Sequence, residues 1–401
     1  MTMAPDIAQA GRLPAAKVAP AVTAARDPRL DFFRGINMFI ILIAHVPSNW
    51  LTLWIPARFG FSDATEAFVF CSGAASAIAF GRLFEQRGMA LGTARVGFRI
   101  WQVYWAHIGL FMAIAATMAM LNGLGTFERD YVGSLNLHPF FNDPLTNLPA
   151  LLGLFYVPNY FDILPMYLVL LALMPLVIWL AGISRLLALV LVAGLWLIAN
   201  IGDVNLPAEP WSDRQWFFNP LGWQLIFFTG FAFSAGWIPK PPVDRRLVAA
   251  AAAIVLITVP FAYFRIINAV PEIGAWRSEW RPLIQKSDFG ILRYVHFLAV
   301  AYLAWVAAGE AGHRLLPPRG HGMLTRAWRA CLAMIMKVGQ QSLAVFIASM
   351  FMARLMGVAL DQAGRSNWTM LVVNLTGILL LILVAHVAGW FKSHPWRKRA
   401  T

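Results

Sequence analysis

In the stretch RLDFFRGINMFIILIAHVPSNW (29–50), Arg34 and His45 stand eleven residues apart on one predicted helix. Eleven residues make close to three turns, which puts both on one face, about 16 Å apart along the axis. Ionisable groups in an apolar segment are costly unless each meets a partner or a polar cavity. A guanidinium suits an anion such as a phosphate, and an imidazole suits proton transfer. FIILIA directly precedes His45, a setting in which few structural roles call for a histidine.

The other ionisable residues sort by depth once the apolar runs are laid antiparallel. Arg34, Arg95, Arg99 and Lys337 fall at one end, all cationic. His45, Asp63, Glu66, His107, Asp162, Arg293 and His296 fall towards the other, with mixed sign. The first group suits a phosphate-bearing ligand, and the second suits general acid–base work. Joined through one helix, they suggest a reaction that crosses a membrane. Plainer roles compete: Arg95, Arg99 and Lys337 also read as headgroup anchors, and FSDATEAF (61–68) reads as a helix start capped by Asp63.

Composition supplies the frame. With 59% hydrophobic residues, 13% charged and a mean hydropathy of +0.64, the chain lies far from soluble domains, which are about a quarter charged. The expected fold class is all-α, a polytopic membrane bundle of ten helices near 30–52, 62–83, 95–121, 160–182, 185–200, 220–237, 247–266, 289–309, 330–357 and 369–391. LPALLGLFYVP (148–158) is too short to span and reads as interfacial or re-entrant. Nineteen of the 32 Lys and Arg fall in one set of loops and tails, against eight in the other. Both termini are therefore expected in the cytoplasm. Residues 1–28 read as a disordered cytoplasmic tail, 29–391 as the membrane domain and 392–401 as a basic tail.

The net charge of +13 is mostly this topology signal, with membrane lipid headgroups as partner. The basic residues are dispersed, which speaks against nucleic-acid binding. Cys71 and Cys331 lie on different predicted helices and form neither a metal motif nor a disulfide framework. A proton-coupled carrier would also use intramembrane His, Asp, Glu and Arg. No internal repeat of the kind many carriers show is visible.

RLDFFRGINMFIILIAH resembles the opening motif of the acyltransferase type 3 family, met by Leu30, Asp31, Arg34, Gly35 and His45. FVFCSG (68–73), RVGFRIWQVYW (95–105) and KVGQQSLAVF (337–346) are similar to its later elements. The chain departs from that family where a later histidine is absent near Ser349 and where PNYFDILPMYLVLL stands. With FNPLGWQLIFFTG (218–230) and LRYVHFLAVAYLAW (292–305), those departures resemble the OpgC branch, bacterial inner-membrane enzymes that succinylate osmoregulated periplasmic glucans.

The resemblance implies an acyl-CoA, expected to be succinyl-CoA, as a cytoplasmic co-substrate. It implies an extracytoplasmic glucan hydroxyl as acceptor, with no tightly bound cofactor and no metal. Arg34 and Arg99 would hold CoA phosphates, with Lys337 as a further contact, and Ser72 and Gly73 would line the pantetheine path. His45 would be the general base, oriented by Asp162 or Glu66, between which the sequence does not choose. Arg293 would meet a succinyl carboxylate or the developing oxyanion, and His296 and Tyr160 would belong to the substrate region. Trp50, Trp54, Trp211 and Trp216 read either as sugar-stacking residues or as an interfacial aromatic belt. Direct transfer, acyl-histidine formation and oligomeric state stay open, as does an acetyl donor with another envelope polysaccharide.

Overall fold

The computed structural model describes residues 27–125 and 128–396. Most of the expected N-terminal tail and the last five residues lie outside that range. The described residues are helical with no named strand; Pro207 and Gln215 form one isolated bridge.

Eleven helices carry the architecture: α1 (Pro28–His45), α2 (Ala64–Ser76), α3 (Arg82–Gly123), α4 (Ile163–Ile183), α5 (Arg185–Ile201), α6 (Pro220–Ser234), α7 (Arg245–Ala262), α8 (Ile291–Ala308), α9 (Met323–Gln340), α10 (Ser342–Ala363) and α11 (Asn367–Lys392). Their starts follow from local chemistry. Asp27, Asp63, Asn219, Asp244 and Ser366 each accept a hydrogen bond from a first-turn N–H, satisfying donors that a helix leaves open. Asp63 and Glu66 form a full capping box, as FSDATEAF suggests.

Six helical stretches among the described residues are long and apolar enough to cross a membrane: Ala64–Gly123, Ile163–Ile183, Arg245–Ala262, Ile291–Ala308, Ser342–Ala363 and Asn367–Lys392. The difference from ten has physical reasons. Ala64–Gly123 runs for 60 residues, about 90 Å if straight, but it folds back at Gly88, whose φ of 78° breaks the helix. The Phe84 ring then fills the space beside Gly92. α1 carries Arg29, Asp31 and Arg34, while α5 and α6 have only 17 and 15 residues. Large apolar side chains such as Leu186, Ile201, Leu256, Trp368 and Leu379 face outwards, as a lipid-facing surface requires.

Two other boundaries differ from expectation. The first helix ends at His45 rather than near 52, because Pro47 pushes its neighbour Val46 into the extended region. Residues 46–58 instead form two short 3₁₀ turns, Trp50–Trp54 and Pro56–Arg58. The predicted 330–357 span is broken at Gln341 into amphipathic α9 and apolar α10. Residues 148–158, expected to be interfacial or re-entrant, contribute the end of a short helix, Pro144–Leu152, with Leu145, Leu148 and Leu152 exposed.

The core is continuous through Met38 and Leu42 of α1, Phe111 and Ile114 of α3, Leu170 and Leu171 of α4, Trp223 and Phe227 of α6, and Phe346 of α10. Glycines let helix backbones touch at two crossings, a form of packing typical of membrane helices. A side chain on Gly73 would strike the Phe227 carbonyl, and one on Gly230 would strike that of Phe70, which locks α2 to α6. Gly35 faces the Ile335 carbonyl and Gly339 that of Asp31, locking α1 to α9.

Candidate active site

The chain's turn after α1 opens a cavity of about 490 Å³, within the range of small-molecule sites. Ala44 through Asn49, Thr52, Ile55, Ala57, Arg58 and Arg354 line it. Its floor is pinned by buried polar contacts. Asn49 donates to Asn374 Oδ1 of α11 at 2.8 Å and to the Ile43 carbonyl at 3.2 Å. Arg365 donates to the Pro47 carbonyl at 2.8 Å.

His45 occupies the last turn of α1, where helix carbonyls lack some of their partners. Its Nδ1 donates to the Ile41 carbonyl at 2.7 Å. A carbonyl only accepts, so Nδ1 carries the proton and Nε2 keeps the free lone pair. That is the tautomer a general base needs, and His45 is one of the residues that line the cavity.

Tyr160 packs against His45 edge-to-face, with ring centres 5.3 Å apart. Its hydroxyl donates to the Met350 carbonyl of α10 at 2.6 Å, and its backbone sits at φ = 88°. A left-handed tyrosine is strained, a condition that persists only where the surroundings enforce it. On the Tyr160 ring lies the Arg354 guanidinium, 3.7 Å from the ring centre. The structure thus gathers His45, Tyr160 and Arg354.

The expected carboxylate partner of His45 is replaced by a backbone carbonyl. Glu66 is fully buried and engaged elsewhere: it accepts from Arg293 Nε at 2.8 Å and from the Asp63 N–H at 2.7 Å. Lys286 joins the cluster, donating to Asp63 at 2.6 Å. Arg293, expected to meet a succinyl carboxylate or the oxyanion, is held here in an ion pair with Glu66. Asp162 lies at the start of α4, two residues beyond Tyr160, buried with Oδ1 unbonded. It makes no hydrogen bond to His45.

His296 is likewise taken up in packing. Its Nδ1 accepts from the Ser62 N–H at 3.2 Å and lies 2.7 Å from Ser62 Oγ, with its Nε2 face against Gly60. His107 is fully buried in α3, with neither ring nitrogen hydrogen bonded. Trp216 is buried, whereas Trp50, Trp54 and Trp211 are exposed.

At the other end of α1, Arg34 donates to Ser342 Oγ at the start of α10. Arg99 reaches Gln102 one turn away at 3.3 Å, and Lys337 Nζ lies over Gly389 of α11. Ser72 donates to the Phe68 carbonyl at 2.8 Å. The space beside Gly73 is filled by the α6 backbone, so Gly73 serves close helix packing rather than a pantetheine passage.

Arg354 is the site residue that sequence reasoning overlooks. Its signal is a cation inside the apolar run SMFMARLMGVAL (349–360), but only the fold shows that it reaches the end of α1.

Residues 26–393 match the family described as OpgC protein, which suggests a glucan-modifying acyltransferase in general. No curated protein and no solved structure matches the chain. With a match extending over nearly its whole length, the chain belongs to the OpgC protein family.

Proposed function

We propose that the protein is an acyl-CoA-dependent O-acyltransferase of the bacterial inner membrane, moving a succinyl group from cytoplasmic succinyl-CoA to hydroxyls of a periplasmic glucan. The observation that carries this reading is the His45 tautomer: Nδ1 is committed to Ile41, leaving the Nε2 lone pair unprotonated on a residue that lines a cavity large enough for a sugar and an acyl group. In this reading α1, α5, α6 and the two arms that meet at Gly88 complete ten crossings. Both termini are cytoplasmic, and the His45 cavity faces the periplasm.

Arg34, Arg99 and Lys337 then belong to the cytoplasmic entrance, where cations favour CoA phosphates. From Arg34 to His45 is about 16 Å of helix, a distance that an extended pantetheine arm covers. His45 Nε2 takes the proton of a glucan hydroxyl as its oxygen attacks the thioester carbonyl. A C–O bond forms, the C–S bond breaks, and the proton passes from His45 to the departing thiolate. Asp162, two residues beyond Tyr160 in the chain, is the proposed carboxylate to favour the transient imidazolium by its charge, since Glu66 is held by Arg293.

The test is a donor panel. Purified protein is mixed with a periplasmic-type glucan and succinyl-, malonyl- or acetyl-CoA, and free thiol and glucan mass are followed. Glucan-dependent thiol release with a matching mass gain, strongest for succinyl-CoA, is expected. Absence of release with every donor would refute the enzyme reading.

A further inference from the structure

Resting on the acyl-transfer reading above, we propose that Arg354 determines acyl-group specificity, its guanidinium binding the free carboxylate of a dicarboxylic acyl group whose thioester end lies against His45. The first ground is electrostatic. Arg293, Arg214 and Lys286 each meet a carboxylate, on Glu66, Glu209 and Asp63. Arg354 forms no ion pair among the described residues, and its buried Nε has no hydrogen-bond partner. The nearby Asp361 is already shared by Arg129 and Arg365. Arg58, the other cation lining the cavity, donates to the Thr52 carbonyl at 3.2 Å. Tyr160 is its aromatic partner, but a cation removed from water without an anionic partner is costly, and an arriving anion lowers that cost.

The second ground is spacing. The Tyr160 ring separates the two heads, with His45 5.3 Å from its centre and the Arg354 guanidinium 3.7 Å from it. Imidazole and guanidinium are thus at most about 9 Å apart. An extended four-carbon diacid places its carboxyl carbons about 4 Å apart. The path bends at the glucan hydroxyl held by His45, so a diacid of this length can take a charge-assisted hydrogen bond of about 2.8 Å at one end, keep its thioester carbon about 3 Å from that hydroxyl at the other, and stay within the limit. An acetyl group stops two carbons short. A butyryl group fills the space but brings no charge.

The test compares kcat/KM for succinyl-CoA and butyryl-CoA with glucan as acceptor, in the wild type, Arg354→Gln and Arg354→Lys. The wild type is expected to favour succinyl-CoA by roughly 10- to 100-fold, the worth of one charge-assisted hydrogen bond. Arg354→Gln should erase that preference by lowering succinyl transfer far more than butyryl transfer, and Arg354→Lys should keep part of it. Equal losses for both donors in Arg354→Gln would overturn the proposal in favour of a general catalytic or structural role. A wild type that uses both donors equally would overturn it without any variant, with the acyltransferase reading intact. Transfer of neither donor by the wild type would overturn both.

Discussion

Two clusters of similar composition do opposite work in this molecule. Around Glu66, two carboxylates and two cations satisfy one another: Arg293 lies on Glu66, and Lys286 lies on Asp63. Around His45, the imidazole spends one nitrogen on a carbonyl and keeps the other, while Arg354 rests on an aromatic face with no carboxylate. The first cluster ties α2 to α8 and to the segment leading into it. The second surrounds a cavity. Intramembrane charge alone marks neither as functional; what distinguishes them is which polar groups are left for a ligand.

That contrast can be broken by mutation. Arg293→Ala leaves Glu66 buried without its cation, and is expected to destabilise the protein by about 3–5 kcal/mol, read as a lowered denaturation midpoint. Pairing it with Glu66→Leu should recover much of that loss, since an apolar pair needs no partner. Failure of the double variant to recover would show that the cluster does more than hold the helices. Gly73→Ala forces α2 away from the Phe227 carbonyl and should cost roughly 1–3 kcal/mol, with a reduced thermal midpoint. An unchanged midpoint would argue that the helices are not in backbone contact there.

The smallest expected effect lies in the segment between α3 and α4. Asp130 accepts from the Gly133 N–H at 2.8 Å and from Asn122 at 2.7 Å, and lies 2.6 Å from His138 Nε2. The Gly133 bond, then His138 and Asn122, hold its carboxyl down to about 2. A depressed carboxylate contributes stability above its unfolded value near 3.9, and that stability fades as pH falls through the folded value. The pair is exposed to solvent, so screening keeps it weak. Asp130→Asn should therefore move the thermal midpoint at pH 7 by no more than about 2 °C. A larger shift would give this loop a structural weight that its exposure does not suggest.

Much of the frame was legible in the sequence. Asp63 and Glu66 announce a capping box, and Arg34 and His45 do share one helix. Pro47 carries the signal for the early end of α1, although the apolar pattern runs past it. What was not legible depends on contacts between distant segments. Arg293 meets Glu66 across 227 positions, so no spacing rule reveals that it is neutralised. Gly73 looks like room for a chain until Phe227 fills the space. The break at Gln341 follows no proline; beside it, Gly339 lies against the Asp31 carbonyl. Arg354 draws its interest from Tyr160 and His45, which reach it from two other parts of the chain.

The most direct test of the central claim is the glucan-dependent release of CoA thiol by His45→Gln, measured beside its thermal midpoint. The account predicts a fall of about 10²- to 10⁴-fold in turnover, the usual worth of a general base, with the midpoint essentially unchanged. A folded His45→Gln protein that turns over at the wild-type rate would contradict it and move the site away from the end of α1.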